Sequence, residues 1–215
     1  MESVNGGIDL VKLQKASFDF SGHEVFRDLS ATIPPGLAVL LGDESTGKTT
    51  LINLIAGQFA VSSGLITYPS ICSTEDAMLM KHQYFLVGED ADAWEPRTPL
   101  DFFEHCHARY GKIDTPFLED LVDAFGLREH VGKNLFMLSR GSKRKVWLTA
   151  SFAVGAPITL IDDPFIALDH QSVCLLKSLI NDAAHWTDKT LIITQHVLDA
   201  ELYPTHLIDL NKVCS

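Results

Sequence analysis

The chain has 215 residues, 46% of them hydrophobic and 21% charged, which is enough for one domain with a large core. Its formal net charge of −11 argues against a broad nucleic-acid-binding face, which needs a basic surface to displace counterions, so no nucleic-acid partner is expected. No apolar run approaches the ~20 residues that cross a bilayer, and no basic segment leading into an apolar stretch follows Met1, so neither a membrane span nor a signal peptide is expected.

In chain order, KASFDFSG and HEVFRDLSATI, within residues 1–33, alternate and turn like antiparallel strands. GLAVLLG (36–42) reads as a buried strand ending in a glycine loop. TTLINLIAG (49–57) follows as a helix stopped by Gly57. From about 90 to 155 the pattern is helical. TPLDFFEHCHARYG offers Thr98 as cap, Pro99 in the first turn and Gly111 as stop, and TPFLEDLVDAFG repeats that design with Thr115, Pro116 and Gly126. PITLIDD (157–163) and TLIITQH (190–196) read as buried strands flanking a helical HQSVCLLKSLINDAAHW (170–186), and HLIDL (206–210) as a last strand. Strands alternating with helices predict an α/β fold with a mostly parallel sheet, an N-terminal antiparallel β unit and an inserted helical unit. The cysteines Cys72, Cys106, Cys174 and Cys214 form no C-x-x-C pair and read as free thiols of a reducing compartment.

Two motifs carry chemistry. GDESTGKTT (42–50) fits G-x-x-x-x-G-K-[ST] and lies between a strand and a helix, the context in which backbone N–H groups cradle nucleotide phosphates. Gly42, Ser45, Thr46, Gly47, Lys48, Thr49 and Thr50 are the candidate phosphate-binding residues, with Lys48 reaching the β- and γ-phosphates and the Thr49 hydroxyl on Mg²⁺. In LIDDP (160–164) an apolar strand ends in two carboxylates. Asp162 is placed to hold Mg²⁺ through water, and Asp163 to orient a water for attack on the γ-phosphate. His105, Cys106 and His107 are adjacent on a helix, point in different directions and are not expected to share an ion.

MLSRGSKRKVWLTASF (137–152) precedes Asp162-Asp163, the loop IALD follows, and His196 ends the next strand. This ordered set resembles the ATPase subunit of ATP-binding cassette (ABC) proteins over nearly the whole chain. DPFIALD and the short length look similar to the haem-export and other small exporter ATPases. The resemblance implies a P-loop NTPase core at 1–89 and 156–215, a helical subdomain at 90–155, and ATP and Mg²⁺ as cofactors. It implies that two subunits, copies of this chain or homologous ATPases, meet head to tail around two nucleotides and drive a polytopic membrane subunit from the cytoplasmic face. It further implies that Ser139 and the Gly141 N–H cap the partner's γ-phosphate and that His196 touches the γ-phosphate with Lys48 and Asp163 in the catalytic set. Phe20 would stack on adenine, and Glu89 would occupy the place of a Mg²⁺-sensing glutamine. Trp94, Phe102 and Phe103 fall where the family docks a membrane subunit, with core packing as the alternative.

The sequence departs from the family at the chemistry. Asp43 and Glu44 bring charge into the loop, and are expected to face solvent or a cation such as Arg140 of an opposite subunit. Ser45 stands where glycine is frequent. Asp163 replaces a glutamate and reaches about 1.5 Å less far, a distance that can cost roughly a hundredfold in rate, so slow hydrolysis is expected. The alternative function is an ATP-gated assembly or regulatory module with little hydrolysis.

Overall fold

Five all-parallel strands form the central sheet in the order β5-β6-β7-β3-β8 in the computed structural model, which describes residues 10–20, 22–68, 82–111 and 113–213. They are β3 (Gly36–Leu41), β5 (Tyr84–Leu86), β6 (Ile158–Ile161), β7 (Thr190–Gln195) and β8 (His206–Asp209). Helices cover parallel sheets on both faces, so such strands read as unbroken apolar runs. Here alternate residues of one strand enter different cores. Leu37 and Val39 of β3, with Leu191 and Ile193 of β7, pack among helices, whereas Ala38, Leu40 and Ile192 pack on the opposite face.

That opposite face is closed by α1 (Lys48–Ile55) and by an antiparallel sheet of order β2-β1-β4, built from β1 (Val11–Phe20), β2 (His23–Ile33) and β4 (Ser63–Thr67). Leu13, Ala16, Phe18, Phe26 and Leu29 of β1 and β2 share this core with Leu51, Ile52 and Ile55 of α1. The hairpin was legible from alternation; β4 was not, because it joins β1 through distant pairing, Lys12 against Thr67.

Between β5 and β6 the described residues form α2 (Ala91–Trp94), α3 (Pro99–Tyr110), α4 (Thr115–Ala124) and α5 (Arg140–Val154), with a single 3₁₀ turn at Leu135–Met137. The chain continues through α6 (His170–Ala183), β7, β8 and α7 (Leu210–Val213). Thr98 caps α3 as expected, in a reciprocal box with Asp101. For α4 the cap is Asp114, one residue earlier than read, because its carboxylate accepts from the Phe117 N–H; Thr115 and Pro116 then take the first two helical positions. Phe102 and Phe103 are core residues, and Phe102 lies 4.6 Å from the Trp147 ring. Their place is decided by packing, not docking.

Candidate functional site

The β3–α1 loop leaves the C-terminal edge of the parallel sheet, where α/β folds place their ligands. Gly42 has no room for a side chain, since a Cβ would overlap the Thr46 hydroxyl. Gly47 sits at φ 89° with a would-be Cβ 2.6 Å from the Phe26 ring. Ser45 adopts φ 63°, the left-handed region that explains why glycine suits this position. Among the described residues the amides of Glu44, Ser45, Gly47, Lys48 and Thr49 have no protein acceptor. They form a concavity of N–H groups at the head of α1. Thr46 donates its hydroxyl to the Asp43 carbonyl, and Thr50 continues α1. The Asp43 and Glu44 side chains are exposed, so their charges need not enter the cradle.

Lys48 is buried, and its ammonium donates to the Gly42 and Asp43 carbonyls at 2.6 and 2.7 Å. It lies 3.4 Å from His196 Nδ1, which must be the acceptor because an ammonium only donates. Among the described residues it has no carboxylate partner, so this cation lacks a counter-charge and fits an anionic ligand. Thr49 donates to Asp162 Oδ2 at 2.6 Å, and Thr194 donates to Asp162 Oδ1 at 2.6 Å. The exposed hydroxyl–carboxylate pair of Thr49 and Asp162 is a hard oxygen donor set that fits Mg²⁺. Thr194 also accepts from the Asp163 N–H, so one hydroxyl ties both aspartates to β7. Sequence reasoning missed Thr194. The signal was its place two residues before His196, which lies just past the end of β7, the strand stopping at Gln195 one residue earlier than read.

Asp163 occupies φ 45°, a left-handed conformation that aspartate enters more readily than glutamate, which gives a backbone reason for the shorter acid. With His196 it lines a cleft of about 350 Å³. Glu89, Thr49 and Asp162 line another, of about 410 Å³. Glu89 accepts from the Tyr84 hydroxyl and Gln58 Nε2, both at 2.8 Å, and from Arg109 Nη1 at 3.0 Å. Its oxygens are thus shared with the cleft wall instead of standing free. Burial, and then Glu89 as hydrogen-bond acceptor, push the Tyr84 phenol up to about 12. Phe20 is 59% exposed, and its ring lies 6.4 Å from that of Phe59.

The remaining candidates lie on α5. Ser139 is its cap, accepting from the Ser142 N–H at 3.0 Å, and Gly141 follows in the first turn. A Cβ on Gly141 would stand 2.5 Å from the Ala167 carbonyl, so α5 rests directly on the turn after β6. Lys145 pairs with Asp169 at 2.5 Å and, with Ser172, holds that carboxyl well below the usual carboxylate range. Among the described residues His105, Cys106 and His107 form no metal-binding group.

The model of the ABC transporter family matches residues 26–166. The cytochrome c biogenesis ATP-binding export protein CcmA of Xylella fastidiosa (strain Temecula1) is 28% identical over 186 residues, 84% of either chain. The ABC transporter ATP-binding protein NatA of Bacillus subtilis is 26% identical over 178 residues, 80% of this chain and 72% of NatA. A solved putative ABC transporter ATP-binding protein from Pyrococcus furiosus superposes with a TM-score of 0.77 at 23% identity, over 95% of this chain and 99% of the other. The phosphate cradle, the paired aspartates and the match over most of the chain lead to one conclusion: the chain belongs to the ABC transporter family and is an ATP-binding, ATP-hydrolysing subunit of the kind that serves transporters.

Proposed function

We propose that this chain binds Mg-ATP, pairs head to tail with a second copy or a homologous ATPase subunit around two nucleotides, and drives a separate polytopic membrane subunit at the cytoplasmic face. The observation that carries the reading is the buried Lys48 ammonium, without a carboxylate partner among the described residues, beside His196 and the open amides of the glycine loop. No helix among the described residues is long and apolar enough to cross a membrane, which supports a separate membrane partner. The division into a nucleotide-binding core (1–89 and 156–215) and a helical subdomain (90–155) is supported by the run of α2 to α5 between β5 and β6.

In this reading the loop amides and Lys48 hold the phosphates, and Phe20 covers the base. Thr49 and Asp162 would hold Mg²⁺, with Glu89 a further carboxylate on the wall of the same cleft. The ion would neutralise developing charge on the phosphate oxygens. Asp163 accepts a proton from, or orients, the attacking water, and His196 steadies the γ-phosphate opposite Lys48. Ser139 and the Gly141 N–H complete the partner's pocket. The similarity to CcmA supports a small exporter-type assignment.

The short reach of Asp163 favours the second reading, an ATP-gated module whose output is assembly and whose hydrolysis is a slow reset. Nucleotide binding and phosphate release separate the two. A transport ATPase turns over ATP when reconstituted with its membrane subunit and loses turnover in Lys48→Ala. A protein that binds ATP and never turns it over, alone or in membranes, leaves the module.

A further inference from the structure

We propose that Arg144 is a positioning residue for hydrolysis: it locks the backbone of Asp162 and Asp163 to α5 and so sets where the Asp163 carboxylate stands. The inference rests on the reading of Asp163 given above.

Arg144 lies one helical turn after Gly141 on α5, so both face the turn that follows β6. Its Nη2 donates to the Asp162 carbonyl at 2.6 Å and to the Asp163 carbonyl at 2.9 Å. A guanidinium is an unusual choice for that task. Burial lowers its pKa, the nearby Asp162 and Asp163 charges oppose the shift, and its Nε is buried with no hydrogen-bond partner among the described residues. A buried polar atom left unsatisfied is costly, and a chain that only needed to fill space there would do better with an apolar side chain.

The turn it holds is strained. Asp163 at φ 45° and Ala167 at φ 62° are both non-glycine residues in the left-handed region. Such strain persists only where surrounding contacts over-determine it. Here Arg144 fixes the carbonyl side of residues 162 and 163, Thr194 fixes the Asp163 amide, Gly141 abuts the Ala167 carbonyl and Lys145 holds Asp169. Three of those four contacts come from α5. The helix that carries Ser139 and Gly141 toward the partner's nucleotide therefore also carries the clamp on its own Asp163. Closure on one nucleotide reaches the hydrolytic carboxylate of the other site through Arg144.

The test compares Arg144→Met, Arg144→Lys and Asp163→Asn with the wild type, measuring ATP affinity, melting temperature, kcat and KM in the full chain. Arg144→Met is expected to bind ATP within about twofold of wild type and to lose tenfold or more in kcat at nearly constant KM, the size expected when a reacting group shifts by a fraction of an ångström. Arg144→Lys keeps a cationic donor on a single nitrogen, as Nη2 is for both carbonyls, but loses the planar fork, and is expected to recover part of that loss. Unchanged kcat in Arg144→Met overturns the proposal. So does a parallel loss of affinity, melting temperature and kcat that Arg144→Lys does not relieve. Asp163→Asn separates the two failures. Normal turnover in that variant overturns the role of Asp163 and this inference with it. Lost turnover there, with normal turnover in Arg144→Met, overturns Arg144 alone.

Discussion

At the scale of single residues, Gly47 and Asp163 show how backbone geometry selects side chains. Gly47 combines φ 89° with a ring carbon of Phe26 2.6 Å from any Cβ, two penalties of the same sign. Gly47→Ala is expected to lose roughly 2 kcal/mol or more of stability and to lose nucleotide binding, read by urea denaturation and by titration with a fluorescent ATP analogue. Asp163→Glu sets two effects against each other. The longer side chain restores reach and is expected to raise turnover, while the left-handed backbone costs about 1 kcal/mol of stability. A fall in turnover would show a site built around aspartate. Burial pushes the Cys106 thiol up to about 12, so it is expected to resist maleimide at pH 8 while exposed Cys174 reacts; equal labelling by mass spectrometry would contradict its burial. A raised thiol pKa contributes stability that is fully present below pH 9 and is lost as the pH climbs from 9 toward 12. Cys72 and Cys214 lie outside the described residues.

At the scale of elements, the sequence showed what local chemistry specifies and hid what tertiary contact specifies. The strands β3, β6 and β7 announce themselves because burial on both faces leaves mainly apolar residues, with a few threonines and Gln195 at the end of β7. The box of Thr98 with Asp101 is equally local, and Thr98→Ala is expected to cost about 1 kcal/mol in chemical denaturation with little change in nucleotide affinity. The glycine loop, Asp162 and His196 were legible because their spacing is tied to strand ends. Arg144 and Thr194 were not, since their partners are 18 and more residues away and are met only when α5 and β7 pack beside β6. Gln58 and Arg109 stayed hidden for the same reason, converging on Glu89 from α1's exit and from α3. β5, with only three residues, carries too little pattern to be delimited from sequence.

At the scale of the whole molecule, three of the charged features that depart from the family, Arg140, Asp43 and Glu44, lie on exposed surface. Arg140 stands at the head of α5, and Asp43 and Glu44 stand on the glycine loop, all exposed and without an ion pair among the described residues. Head-to-tail pairing would bring the two sets into opposition. Arg140→Glu is expected to weaken ATP-driven association about tenfold, and lysines at 43 and 44 to restore it. The proposed function depends most on that association. Its most direct measurement is the solution mass of Asp163→Asn, by light scattering, with Mg-ATP, with Mg-ADP and with no nucleotide. A doubling of mass is expected with Mg-ATP alone, abolished by Ser139→Ala in the same background although ATP still binds. A protein that binds ATP and keeps the mass of a single chain at every ATP concentration would contradict it.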